Sequence, residues 1–424
     1  MTETRSKKWL LLIVLLALVL RVGFVFWLQS KLDATDQKFL IAGDAEGYWE
    51  LARSLVNGDD YSVHQPPRYV HRMPGLPVLL SASMSIFGES FLAARLMLAT
   101  IGALTCWLVY LFGKRIHSLN VGLVAAGLVA VSPAAIGFSG LILSETAFGF
   151  AMVLSLLGLH AIVVELDETR KTARTQRRLW LISILTGLAI ALGVYMKPSW
   201  VLLGPIAALL LVVFMKPRSR GFLAGVLILS GMFLGLAPWG VRNQMVSGHF
   251  KLTTFWMGPS LYDGLNPNAT GDSDMRFFDE DQLTLEMSEY EVDQEYKRRA
   301  ISFAKQNPQR VAKLAVSKLW RYWKPWPNAE QFNKPWIGIG LCLYTIPLLA
   351  LAAWGTWVTR GHFWSIVILA GPIFYFAGLH TIFVSSLRYR LPAEAPLCVL
   401  AAIGLVSVVN FMQKHSKDDS EITG

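Results

Sequence analysis

Residues 5–28 read RSKKWLLLIVLLALVLRVGFVFWL, a short basic cluster followed by an apolar run. The charge order is that of a signal peptide. The run nevertheless reaches the roughly 20 residues that cross a hydrocarbon core, and no small-residue cleavage site follows it, so an uncleaved first transmembrane helix is expected. The remainder of the chain agrees with that reading. Of 424 residues, 54% are hydrophobic and 16% charged, and the mean hydropathy is +0.44, too apolar for a soluble domain of this size. The chain reads as an all-α polytopic membrane protein.

Runs of similar length predict ten spans, at 8–28, 90–113, 118–138, 145–166, 179–196, 199–215, 221–240, 336–358, 363–384 and 391–412. With a cytoplasmic N-terminus, one side collects Arg5, Lys7, Lys8, Lys114, Arg115, Arg170, Lys171, Arg174, Arg177, Arg178, Lys216, Arg218, Arg220, Arg360, Lys414 and Lys417. Positive-inside bias makes that side cytoplasmic, with both termini on it. The same bias accounts for most of the formal charge of +10, so nucleic acid is not an expected partner and membrane lipids are. Cys106, Cys342 and Cys398 all lie in apolar runs and indicate neither a disulfide framework nor a metal-binding pair.

Three regions follow: an N-terminal transmembrane module, 1–240, with a long external loop at 29–89; an external cap at 241–335; and C-terminal spans with a cytoplasmic tail, 336–424. The cap opens on the turn-rich Gly264-Leu265-Asn266-Pro267-Asn268 and passes through an acidic stretch, Asp279 to Glu295. From Tyr296 to Trp323 it reads as helix interrupted at Asn307-Pro308. Val311, Leu314, Ala315, Lys318, Leu319 and Tyr322 recur at helical spacing among cations, as in a helix resting on a lipid interface.

The external side holds the chemistry-bearing residues. The first loop carries Gly43-Asp44-Ala45-Glu46-Gly47-Tyr48 and then Arg68-Tyr69-Val70-His71-Arg72-Met73-Pro74-Gly75-Leu76-Pro77. Acids in an external loop are often merely solvated, but these are bracketed by glycines and lead into Tyr48-Trp49, a helix-like restart near the interface. Asp44 is the better general base, and Glu46 supports an acceptor or a divalent cation. Glu145 closes Leu143-Ser144-Glu145 at a helix start. It reads either as an acid favoured by the helix dipole or as a second site carboxylate that shares a cation or positions an acceptor.

Arg68, His71 and Arg72 read as snorkelling interfacial residues or as cations fixed by the following prolines to meet a phosphate. Lys197-Pro198 and Arg388-Tyr389-Arg390-Leu391-Pro392 repeat that device, against the charge rule for external loops. There is no nucleophile elbow, no phosphate-binding loop, no dinucleotide fingerprint and no His-Glu-x-x-His. Tyr48, His71, Tyr389 and Asn266 are further candidates for substrate contact.

Four of these segments together resemble the type C (GT-C) glycosyltransferases, in particular the bacterial branch that includes protein O-mannosyltransferases, the lipid A aminoarabinose transferase and lipopolysaccharide-core galacturonosyltransferases. They are Gly43-Asp44-x-x-x-Tyr48, Arg72-x-Pro74-Gly75-x-Pro77, Leu143-Ser144-Glu145 and Arg388-Tyr389-Arg390-Leu391-Pro392. The resemblance implies inverting transfer of a sugar from a polyprenyl-phosphate donor to a lipid, glycan or protein acceptor on the outer face of a bacterial inner membrane. By the same resemblance Asp44 is the base, Glu145 a second acid, and Arg72, Lys197, Arg388 and Arg390 the ligands of the donor phosphate, with Arg68 beside them. Where the family often has adjacent Asp-Glu, this chain has Asp44-Ala45-Glu46. The competing reading is a transporter or flippase of a lipid-linked substrate, which would place charges within the spans and a water-lined cavity at mid-bilayer.

Overall fold

The computed structural model describes residues 3–167, 172–327 and 334–422, and among them the only β feature is an isolated bridge between Val63 and Arg68. Arg170 and Lys171, counted above among the cytoplasmic cations, lie outside the described residues. In chain order the α-helices are α1 (Glu3–Asp33), α2 (Ala42–Asn57), α3 (Gly75–Phe87), α4 (Phe91–Ile116), α5 (Leu119–Val131), α6 (Pro133–Ser139), α7 (Glu145–Asp167), α8 (Ala173–Met196), α9 (Leu203–Phe214) and α10 (Arg218–Ser247). Then come α11 (Met257–Gly264), α12 (Arg276–Asp281), α13 (Glu289–Gln306), α14 (Pro308–Trp323), α15 (Pro335–Thr359), α16 (Phe363–Ile382), α17 (Leu387–Arg390) and α18 (Glu394–Ile422).

Among the described residues, eight helices are long and apolar enough to cross a membrane, or nine if α5 and α6, bent by 59° at their junction, make one span. The span expected at 199–215 is the exception. Lys197-Pro198 opens a 3₁₀ turn there, and α9 has 12 residues, about 18 Å of helix against a core of about 30 Å. It still serves as the return leg, because α8 and α10 run the same way: Ile184 meets Gly231, and Ala191 meets Gly235.

The bend between α5 and α6 has a chemical cause. Pro133 has no N–H for the carbonyl of Val129 four residues back. Arg21, from inside α1, supplies the donor instead: Nη2 donates to Val129 O at 3.0 Å and Nη1 to Ala130 O at 3.2 Å. Irregular backbone at membrane depth is tolerated when it is satisfied in this way by protein groups.

The cap is helical, as expected, with the break at Asn307-Pro308. α14 turns Leu314, Lys318 and Tyr322 inward and leaves Val316 (71% exposed) and Trp320 (64%) outward. That is the two-faced form of a helix for a lipid interface. The cap grips two other segments. Glu289 accepts the backbone N–H groups of Tyr69 and Val70, and Phe255 N donates to Val70 O at 3.0 Å. On the far side Lys318 Nζ donates to Gly264 O and Ile382 O, and Ser385 N donates to Gly271 O at 3.0 Å. The first loop and the segment before α18 are thereby held under one lid.

Candidate active site

Two carboxylates and three cations, drawn from five separated segments, meet where the cap covers the bundle end. Asp44 lies in the first turn of α2, so the acidic cluster read as a loop is helical. Its Oδ1 pairs with Arg72 Nη1 at 3.0 Å and its Oδ2 with Arg388 Nη1 at 2.8 Å. Glu145 opens α7, where the positive end of the helix dipole favours a carboxylate. Its Oε1 receives Arg388 Nε at 2.5 Å and Lys197 Nζ at 3.1 Å. Arg388 therefore bridges both acids.

Local sequence explains how each group arrives. Lys197 is the C-cap of α8 and is extended (φ −142°, ψ 112°), as its neighbour Pro198 requires. Gly75 starts α3 against the end of α8, where a methyl would lie 2.5 Å from the carbonyl oxygen of Tyr195. Only a residue without a side chain lets the start of α3 approach the end of α8 that closely. Gly47 leaves room for the Arg72 guanidinium, which also lies over the Tyr48 ring at 4.8 Å. The Tyr48 hydroxyl interacts with Ser144 and Arg72. Lys197 Nζ sits 5.3 Å from the centre of the Tyr389 ring, and that ring stacks on His380 at 4.3 Å.

Electrostatically the cluster keeps one net positive charge, three cations against two carboxylates. Burial alone would raise the Asp44 pKa, but the Arg388 and Arg72 guanidiniums outweigh it and hold the carboxyl well below its usual range. The Asp44 side chain remains 34% exposed while that of Glu145 is fully buried. Burial pulls the Lys197 ammonium below its ordinary value against the attraction of Glu145, and burial raises the Tyr48 phenol.

The other expected site residues lie elsewhere. Arg68 faces the cap, with its guanidinium 4.5 Å from the Phe278 ring centre and 5.7 Å from that of Trp256. His71 is buried edge-on to Trp256, and burial with the nearby Arg72 and Arg68 keeps it well below the usual imidazole value. Arg390 turns away from Arg388 and donates to the carbonyls of Tyr322, Trp323 and Lys324, capping the C-terminus of α14. Asn266 closes a cap turn, donating to Tyr262 O at 2.8 Å and accepting from Asn268 N at 2.8 Å. Glu46 is exposed.

Sequence reasoning passed over two residues that hold the first loop in place. Glu289 falls in the acidic stretch from Asp279 to Glu295, and Arg242 at the start of the 241–335 segment, where neither stands out. Arg242 donates to the carbonyls of Tyr69 and Tyr61. The only local signal was a cation at the end of an apolar helix.

Among the described residues, no group of three or more His, Cys, Asp or Glu side chains is arranged to hold a metal ion. Asp44 and Glu145, the pair expected to share a cation, hold the Arg388 guanidinium between them. This donor set, as arranged, takes a protein cation and does not fit a resident divalent ion.

Next to the cluster, an apolar cavity of about 370 Å³ runs between α7, α9 and α16, from Trp200 and Tyr375 down to Leu210 and Trp364. Trp200 stacks on Phe376, whose ring in turn stacks on His380. The wall of the cavity is thus continuous with the residues beneath Lys197.

A family profile described as "Dolichyl-phosphate-mannose-protein mannosyltransferase" matches residues 75–254. No curated protein matches the sequence. Among solved structures, the Archaeoglobus fulgidus oligosaccharyltransferase in the apo form superimposes with a TM-score of 0.65 at 16% identity, over 99% of this chain and 52% of that one. The same enzyme, AglB, in complex with an inhibitory peptide and a dolichol-phosphate gives a TM-score of 0.59 at 14% identity, over 100% and 53%. ArnT from Cupriavidus metallidurans bound to undecaprenyl phosphate aligns over 94% of this chain and 77% of that one, at 14% identity and a TM-score of 0.42. The chain spans about half the length of the archaeal enzyme on which it superimposes. Its fold is shared with the archaeal oligosaccharyltransferase.

Proposed function

We propose that this chain is an integral-membrane inverting glycosyltransferase, moving a sugar from a polyprenyl-phosphate donor to a lipid, glycan or protein acceptor. In this reading the site faces the periplasm of a bacterial inner membrane, with both termini cytoplasmic. The observation that carries it is the bridging of Asp44 and Glu145 by Arg388, with Arg72 and Lys197 alongside. A base, a second acid and a cationic seat for phosphate stand within one cluster, joined through His380, Phe376 and Trp200 to the wall of an apolar cavity. The family profile and the dolichol-phosphate bound to the archaeal oligosaccharyltransferase support that donor class.

The reaction is a single displacement. An acceptor O–H or N–H attacks the anomeric carbon as Asp44 takes the proton, a bond forms to C1, and the C1–O bond to phosphate breaks with its electrons on the departing oxygen. The donor diester carries one negative charge, and the departing polyprenyl phosphate gains another. Arg388, Lys197 and Arg72 offset that gain, and one well-placed donor of this kind is worth roughly 2.7–4 kcal/mol. A carboxylate gripped by two guanidiniums is a weak base. Donor phosphate competes for Arg388 and Arg72, loosens their hold on Asp44 and raises its basicity toward the range that general-base catalysis uses. The partly exposed face of Asp44 is where an acceptor reaches it.

The transporter reading is less favoured. The charges buried within the spans serve local backbone and side-chain partners, Arg21 at the α5–α6 bend and Glu394 on Ser132. The decisive experiment replaces Asp44 by Asn and measures sugar transfer in nanodiscs with a synthetic polyprenyl-phosphate sugar. Transfer is expected to vanish while binding of undecaprenyl phosphate persists. Near-normal turnover would remove Asp44 from the mechanism.

A further inference from the structure

Against Glu145 lies a half-open cavity of about 50 Å³. Arg21, Thr105, Glu145, Thr146 and Glu394 all contribute to its wall. Two of these carry a buried polar atom with no hydrogen-bond partner among the described residues, Glu145 Oε2 and Arg21 Nε. Both residues are 1% exposed. The rest of each group is in use: Glu145 Oε1 takes Arg388 and Lys197, while the two Arg21 Nη atoms serve the carbonyls of Ala17, Val129 and Ala130. The residues that carry this orphaned acceptor and this orphaned donor therefore line the same space.

Buried polar atoms are nearly always partnered, by protein or by ordered water. A cavity needs about 10–15 Å³ of this measure to admit a water and two to four polar neighbours to hold it. This one exceeds that volume severalfold. A further polar neighbour is suitable: Thr105 Oγ1 donates to Ile101 O and keeps lone pairs free to accept, while Glu394 is engaged by Ser132 and Tyr344. Glu145 and Glu394 together argue against an anion, and Arg21 argues against a cation.

We propose that this cavity is a water site, in which one or two ordered waters bridge Glu145 Oε2 to Arg21 Nε and make Arg21 a positioning residue for Glu145. The cations hold one oxygen of the carboxylate and the water holds the other. Its rotation is then set, with Oε1 toward Arg388 and Lys197. Through the same guanidinium, α1 and the bend between α5 and α6 fix the floor of the site. The water site stands on the cavity alone; the positioning role rests on the transfer reaction proposed above.

A high-resolution structure of the wild-type protein in nanodiscs is expected to show density within about 3.2 Å of both orphaned atoms. An empty cavity overturns the proposal. Gly149 provides a second test, since it lines the cavity and a methyl added there meets no atom within 4 Å. Gly149→Ala favours the helix in the interior of α7 either way, so turnover is the readout: if the space is dry, kcat is unchanged, which refutes the water site, and if it is wet, the methyl displaces a bridging water and kcat falls.

For the positioning role, Arg21→Met is expected to lower kcat roughly ten-fold at unchanged donor KM and unchanged undecaprenyl-phosphate binding, with partial rescue by Arg21→Lys. Loss of donor binding together with kcat, or no loss at all, overturns that role. Full activity of Asp44→Asn refutes the proposed reaction and leaves the water density untouched, so the two failures are distinguishable.

Discussion

Gly47→Ala separates site geometry from helix stability, because it alters no charge and sits in a helix that gains from the change. A methyl at Gly47 would lie 2.8 Å from Arg72 Nε, 3.4 Å from Nη2 and 3.5 Å from Cζ. Ordinary carbon–nitrogen contact begins near 3.5 Å, about the optimum for non-bonded atoms, so the guanidinium must move by roughly 0.7 Å. That motion pulls Nη1 from its 3.0 Å contact with Asp44 and shifts the ring contact with Tyr48. The helix itself gains, since Ala is more favourable than Gly by about 1 kcal/mol in a helix interior. A misplacement near 1 Å at a reacting centre costs up to about 100-fold, so kcat/KM is expected to fall roughly 10- to 100-fold, about 1.4–2.7 kcal/mol, with Tm unchanged or higher.

The assay is product formation in nanodiscs from a synthetic polyprenyl-phosphate sugar, with Tm read in parallel. Gly43→Ala is the matched control: it lies in the same helix, and a methyl there meets nothing within 4 Å, so activity is expected to stay at the wild-type level. Wild-type kcat/KM for Gly47→Ala, or equal losses in the two variants, refutes the reasoning.

Arg388→Lys keeps the charge but not the fork that reaches both acids, so turnover is expected to drop about 10²–10³-fold; a change below ten-fold argues that the bridge is dispensable. His71 is held neutral below its ordinary value, with Arg68, Arg72, His64 and Asp44 facing it. As pH falls through about 6.5, the unfolded imidazole takes a proton that the folded one resists, so stability declines as pH falls. Tm is therefore expected to drop between pH 7 and 5 in the wild type and to drop less in His71→Phe, with His64, also lowered, retaining part of the slope. Glu289→Gln weakens the paired acceptance of the Tyr69 and Val70 amides, at about 1–3 kcal/mol. Faster hydrogen exchange at those two amides checks it, and unchanged protection counts against the cap as the clamp on the first loop.

How much was legible follows from particular pairs of residues. Asp44 and Glu46 are two positions apart on α2, and Arg388 and Arg390 are two apart on α17. At 3.6 residues per turn such neighbours point about 200° apart, so one of each pair enters the cluster and the other leaves it. Sequence spacing names all four but not which faces inward, because the acidic cluster reads as a loop and α17 is only one turn long. Arg68 was attributed to the phosphate for its charge, whereas Trp256 and Phe278, both from the cap, claim it. The shortness of the sixth expected span, 199–215, has a similar origin: hydropathy reads apolarity, not where Lys197-Pro198 forces the helix to start. Arg21 was absorbed into a hydrophobic run, since only the Pro133 bend more than a hundred residues away explains a guanidinium there.

By itself the sequence determined the membrane class, the order of spans, the helical cap and the short segments in which site residues occur. These follow from hydropathy, proline and glycine, whose effects act over a few neighbouring residues. Tertiary structure alone decided that Arg388 joins Asp44 to Glu145, a carboxylate 243 residues earlier in the chain, and that Arg390 caps a helix instead. The reason is physical: which charge meets which depends on how helices pack and rotate against one another, and that is a sum over distant contacts that no local stretch contains.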